Sequence, residues 1–225
     1  MANTETTINA VINPENNETP IDIEKTIKAL ERNKFVVHYF ETGTEAVTYL
    51  KNRIQNKCVA IGDSRTLLEI GVHDALSEVN EDITDIQRPL PSESFRDTAL
   101  RTMGRDVFLT SVNALAQTGE MINIDGTGNR IAASLFGSQE VFFVLGINKI
   151  TPDLASAIYR ARNVAAPLNS KKNKKSSLNP CATLEEKCYD CGSPDRICNA
   201  LTIYYKKMRN MQTMEVIIIN ESLGF

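Results

Sequence analysis

Hydrophobic positions are sparse over residues 1 to about 20, which are rich in Asn, Thr and Glu and hold Pro14 and Pro20. A stretch of that composition buries too little apolar surface to order itself, so a mobile tail is expected over residues 1–20. From Ile21 onward the pattern changes. Ile23, Ile27 and Leu30 recur at helical intervals and lead into a β-branched and aromatic run, 35–40, that reads as a strand. The same alternation then repeats. A helix is expected over about 44–53, a strand over 57–62 built on Cys58, Val59, Ala60 and Ile61, and helical material over 67–79. Pro89 and Pro91 break the chain, Ser94 can cap a helix reaching Met103, and 107–112 forms a buried strand. Met121, Ile122 and Ile124 make a further short strand, followed by a polar turn and a helical face of Ile131, Ala132, Ala133, Leu135 and Phe136. The run 141–145 is apolar at every position. Pro152 then stands where a first helical turn tolerates it, and Leu154, Ala157, Ile158 and Ala161 carry a helical face to Pro167.

Strands and helices alternating in this way, with strands apolar on both faces, predict an α/β fold: three layers around a mainly parallel sheet covered on both sides. At 225 residues the chain can bury one core plus a small appended module. The expected organisation is a main domain over 21–168, a basic linker loop over 169–180, and a closing part of the same domain over 181–225. In that closing part 201–205 and 215–219 read as two strands, an antiparallel pair joined by a basic turn.

Ligands of parallel sheets bind at the carboxyl ends of the strands. Three predicted strands there run into polar loops. The first holds Asp63, Ser64 and Arg65, and the second runs Asn123-Ile124-Asp125-Gly126-Thr127-Gly128-Asn129-Arg130. The third is Gly146-Ile147-Asn148-Lys149. In the second, a helix start with two glycines offers free backbone N–H groups, which favours an anion. Asp125 could equally serve as the plain cap of that helix. With Arg65, Arg130 and Lys149 as the cations, the anion is expected to be a small carboxylate. Arg130 would be its bidentate anchor, helped by N–H groups at Gly126 and Gly128. Asn123, Thr127, Asn129 and Asn148 complete the binding set with Asp63 and Ser64. Glu120 or Asp125 could move a proton, and Lys149 could stabilise an oxyanion. A dinucleotide fingerprint is absent, and His38 and His73, in strand and helix patterns, read as structural.

Composition adds mainly exclusions. Hydrophobic content of 42% and charged content of 24% are ordinary for a globular protein, and no apolar run approaches the roughly 18 residues of a membrane span. A net charge of -3 provides no general attraction to nucleic acid. The start of the chain lacks a signal-peptide pattern, so a cytoplasmic protein with reduced thiols is expected. Four of the five cysteines fall close together, as Cys181, Cys188, Cys191 and Cys198. A Cys-x-x-Cys turn aims two thiolates at one group, and single cysteines on either side can complete a four-ligand set. One knuckle with outlying ligands leaves zinc and a 4Fe–4S cluster both open, the cluster slightly favoured. Cys58, inside a strand pattern, reads as a core residue.

The 124–130 turn, the Gly146-Ile147-Asn148-Lys149 loop, Asp153-Leu154, Ala165-Ala166-Pro167-Leu168-Asn169 and the Cys-x-x-Cys with Ser193-Pro194-Asp195-Arg196-Ile197-Cys198-Asn199 occur in order. Together they resemble the lactate-utilization, or LUD-domain, family. The resemblance implies a three-layer fold related to CoA transferases, ribose-5-phosphate isomerases and glucosamine-6-phosphate deaminases. It also implies a role in oxidising L-lactate to pyruvate, in company with iron–sulfur subunits. Many bacterial members lack the four-cysteine module, which places this chain in a variant subgroup. Two expectations follow: an oxidoreductase component acting on a small 2-hydroxy or 2-oxo acid, or a non-catalytic scaffold or metabolite-sensing subunit with structural zinc. A CoA or phosphosugar enzyme would rest on fold analogy alone.

Overall fold

The computed structural model describes residues 21–172, 178–185 and 187–225. The expected tail, residues 1–20, lies outside it, as do residues 173–177 of the expected linker. The α/β alternation is realised as a six-stranded, all-parallel sheet, flanked by helices on one face and by helices and a smaller sheet on the other. Its strands are β1 (Val36–Phe40), β2 (Cys58–Ile61), β3 (Asp82–Asp85), β4 (Val107–Thr110), β7 (Glu140–Gly146) and β10 (Thr213–Ile219), in the order β1-β10-β7-β4-β2-β3. The second sheet has four strands in the order β8-β5-β6-β9: β5 (Ala114–Ala116), β6 (Met121–Asp125), β8 (Ile150–Thr151) and β9 (Ala200–Tyr204).

Side-chain alternation divides the core. On one face of the large sheet Val59, Ile61, Leu109, Phe142, Val144, Ile217 and Ile219 meet helices α2 (Gly43–Arg53), α3 (Arg65–Glu69) and α4 (Val72–Ser77). On the other, Phe108, Val141, Phe143, Leu145, Val216 and Ile218 meet α1 (Ile23–Arg32), α6 (Asn129–Leu135) and the inner face of the second sheet through Leu115, Met121 and Tyr204. The outer face of the second sheet is covered by α7 (Leu154–Arg160), a π-turn over Ala161–Ala165 and α8 (Ala166–Lys172), packed on Ala114, Ala116, Ile122 and Ile124. The remaining helices are α5 (Phe95–Arg101), capped by Ser94 as expected, and the short α9 (Pro180–Thr183). Thr42 starts α2 with a reciprocal capping box to Glu45.

Three expectations change. The antiparallel closing pair does not form: β10 lies between β1 and β7 in the large sheet, while β9 runs antiparallel to β6 at the edge of the small one. The reason is in their faces. β10 is buried almost end to end and demands a central place, whereas β9 is half-exposed and suits an edge. Second, the loop expected to start at 169 starts later, because α8 continues to Lys172. Third, the helical stretch over 67–79 is two helices, parted at Gly71 in the left-handed region at φ +72°.

At the amino ends of the two central strands sit two buried carboxylates, Glu140 and Glu215. Arg53 bridges them at 2.5 and 2.9 Å and lies over the Phe142 ring. Tyr49 donates to Glu215 at 2.8 Å and also meets His38 Nε2, which gives His38 a structural role. Arg53→Met would strip Glu215 of its guanidinium partner and leave Glu140 with Lys57 alone. Because Arg53 itself is about one-third exposed, screening trims the penalty of a broken buried pair to about 2 kcal/mol, measurable as a lower urea midpoint at neutral pH. The loss should shrink when Glu140→Gln is added.

Candidate functional site

The turn after β6 is built around its own aspartate. Asp125 Oδ1 accepts from the N–H groups of Thr127 and Gly128 at 3.2 Å each, and Oδ2 from that of Ile131 at 3.3 Å. The anion that the helix start attracts is therefore the Asp125 carboxylate, which is the capping alternative. Gly128, at φ +84°, makes the sharp entry to α6. Arg130 donates to Ile124 O at 2.5 Å and stands 3.8 Å from Asp125, so its guanidinium also serves the turn. Thr127 and Asn129 bond to each other through their side chains.

The first and third loops do meet, and Lys149 joins them. Its ammonium is buried, with no carboxylate partner among the described residues, and donates to Thr66 Oγ1 at 2.8 Å and Ser111 Oγ at 3.0 Å. Burial, together with the positive charges of Arg160 and Arg130, lowers its pKa from the ordinary lysine value to about 7. Arg160 is held by Asn148 O and Asn113 O, and burial lowers its pKa to about 10. The segment 220–224 closes over this group. Asn148 clamps Leu223 through its N–H and carbonyl, and Glu69 accepts from Gly224 N–H at 2.6 Å. A Cβ on Gly224 would stand 2.5 Å from Thr66 Oγ1 and 3.1 Å from Lys149 Nζ, so only glycine fits there.

Other expected site residues are spent nearby on structure. Arg65 pairs with Glu69, Ser64 caps α3 through Leu67 N–H, and Asp63 accepts from Gln87. Asn123, fully buried, ties β6 to the backbone of Ser111 and Asn113. Glu120 is not gathered with them. It lies at the hairpin turn at the opposite end of β6 from Asp125, accepting from the Thr118 hydroxyl. The two carboxylates expected as alternative proton carriers thus stand a strand's length apart, roughly 17 Å.

The cysteine segment packs directly on the 125–130 turn. Asn199 donates from its backbone to Asp125 O and from its side chain to Gly126 O, and Gly126 has no room for a Cβ against the Ile197 backbone. Cys181, Cys188, Cys191 and Cys198 all border one pocket, each partly exposed and with a free thiol. At the knuckle Asp190, in the left-handed region at φ +46°, turns its N–H onto Cys188 Sγ at 3.4 Å. Arg196 donates to Cys198 Sγ at 3.2 Å and Arg162 approaches Cys188 Sγ at 3.7 Å. Burial pushes the Cys198 thiol up, against the pull of Arg196. Among the described residues no three His, Cys, Asp or Glu side chains converge at the spacing of a single-ion site. Beside the cysteines a cleft of about 280 Å³ opens between Arg162, Arg196, Asn199 and Leu201. Cys58 stands apart at the start of β2 and is half-buried rather than in the core.

The LUD domain model matches residues 23–219, nearly all of the described chain. The chain belongs to the LUD-domain family. Its fold is similar to the crystal structure of a DUF162 family protein from Deinococcus radiodurans, at 13% identity and a TM-score of 0.51, covering 89% of this chain and 99% of that one. No curated protein matches by sequence. Membership in the LUD family brings an involvement in lactate utilization. No helix among the described residues of this LUD domain is long and apolar enough to cross a membrane.

Several groups of the LUD domain's site carry no sequence pattern of their own. Thr66 and Ser111 follow apolar strands as ordinary polar residues, and Gly224 lies far along the chain from Lys149. Arg162 was hidden on a helical stretch, and Arg196 inside the cysteine segment, where only proximity to sulfur distinguishes it. The depressed Lys149 gives a pH signature. An unfolded lysine holds its proton up to about pH 10.5 whereas the folded one releases it near pH 7, so between those values the unfolded state binds more protons. The contribution of Lys149 to stability should therefore rise with pH across that window and level off below it. Urea midpoints of wild type and Lys149→Met from pH 6 to 10 check this: their difference should move in favour of wild type as pH increases.

Proposed function

We propose that the chain is a component of lactate utilization that binds a small 2-hydroxy or 2-oxo carboxylate beside a metal centre held by Cys181, Cys188, Cys191 and Cys198. One observation carries the reading: the four thiols border a single pocket, and that pocket abuts both an open cleft and the 125–130 turn. The donor set fits a thiophilic group, since all four ligands are thiols free of disulfides and two of the sulfurs accept N–H bonds from Asp190 and Arg196. Four thiols around one pocket are the donor set of a 4Fe–4S cluster, and equally of a zinc ion. Such a cluster, when bound, supplies one-electron transfer. Arg196, bonded to Cys198 Sγ, would orient that sulfur, while the 125–130 turn holds the cysteine loop in place.

A non-catalytic metabolite-sensing subunit with structural zinc is the second reading. It draws on the internal satisfaction of Asp125 and the sealing of Lys149 beneath Gly224. The test is metal analysis of anaerobically purified protein. The first reading expects a brown protein with broad absorption near about 400 nm and about four irons and four labile sulfides per chain. Cys188→Ser and Cys191→Ser should lose most of the iron. Lactate-dependent dye reduction in the presence of iron–sulfur partner subunits should fall with it. A colourless protein with one zinc, and dye reduction indifferent to the cysteines, would overturn it in favour of the sensor.

A further inference from the structure

The cations expected to catch a carboxylate are spoken for. Arg130 is spent on Ile124 O, the turn's N–H groups on Asp125, and Lys149 lies under Gly224. The open space is on the other side of the same turn. We infer that the ligand anion sits in the cleft between Arg162 and Arg196, against Cys188 and Cys198, and that its class is a small monocarboxylate with a short apolar body. This deepens the functional reading above and rests on it.

The cleft's walls define that class. At about 280 Å³ it lies at the lower edge of the range of small-molecule sites and has room for a molecule of a few carbons. Ile124, Ala200 and Leu201 offer an apolar side, and Arg162, Arg196 and Asn199 a polar one. Both guanidinium groups turn to the same acceptor, Asp190 Oδ1, at 3.3 and 3.6 Å. Two positive charges thus share one carboxylate oxygen. The Asp190 side chain is 76% exposed, while its backbone is pinned by the bond from its N–H to Cys188 Sγ. Its carboxylate can swing out into water without disturbing the knuckle, and the point it vacates is where a ligand carboxylate meets both arginines. Arg196 is further anchored by Cys191 O and Cys198 O, which fixes the direction of its fork. Among the described residues Arg162 has no such backbone anchor, and it is the arm that can close on a ligand.

Calorimetric titration of the anaerobically purified full chain with sodium pyruvate and sodium L-lactate tests this, with lactamide as the uncharged control and iron and zinc measured on every sample. Saturable binding of the acids and none of the amide is expected. Arg162→Met should weaken binding at least about tenfold, the loss expected for a charge-assisted contact, and Arg162→Lys should restore part of it. Asp190→Asn should tighten binding by removing the competing carboxylate, a gain that a merely structural role would not produce. The metal content is expected to stay at the wild-type level in all three variants. Binding that survives Arg162→Met but is lost in Arg130→Met, or no saturable binding by the wild type, would overturn the inference. Zinc in place of iron, with the Arg162 and Asp190 effects intact, would sink the cluster reading alone and leave the anion site standing.

Discussion

The arrangement depends on two strands, β7 and β10, that are apolar on both faces and lie side by side at the centre of a parallel sheet. Burying both faces of both strands requires a layer on each side. The chain supplies helices α2 to α4 on one face and, on the other, α1, α6 and a second sheet. Only at the strand ends can polar groups appear. At the amino ends these are the Glu140 and Glu215 carboxylates, neutralised by Arg53 and Lys57; at the carboxyl ends they are Lys149 and the segment 220–224 that closes over it.

The second sheet turns this scaffold into a site. Strand β6 carries the 125–130 turn at one end, and β9, paired to it along its whole length, brings the cysteine segment to the same end. The antiparallel register sets Asp125 opposite Ala200, so Cys198 and Asn199 necessarily emerge beside the turn. Asn199 then bonds the two segments together. A cysteine-rich loop of irregular backbone is in this way held by a regular ladder, as the positioning of several thiols around one pocket demands.

Asp125 shows how one residue can carry two readings. A helix start with glycines and a nearby arginine is equally a cradle for a foreign anion and a cradle for the chain's own carboxylate. The geometry selects the second, because three N–H groups already converge on Asp125. The cleft on the far side of the turn is different: its two arginines share one exposed aspartate and face open space.

Local spacing by itself determined the α/β alternation, the Ser94 cap and the strands read at 35–40, 57–62, 107–112 and 141–145, which form at 36–40, 58–61, 107–110 and 140–146. The order of the strands was not. Whether 200–204 and 213–219 pair with each other or part into two sheets depends on which surfaces remain uncovered once the rest has folded, and that is a property of the whole core. The same holds for the site. The loops at 62–66 and 146–149 were legible as polar strand ends, but that Lys149 meets Thr66 and Ser111 under Gly224, that Glu120 is carried away from Asp125, and that Arg162 and Arg196 flank the cysteines came only with the tertiary structure. These contacts join residues far apart in sequence, and nothing in the local spacing of a chain records which distant neighbour will shield a charge from water.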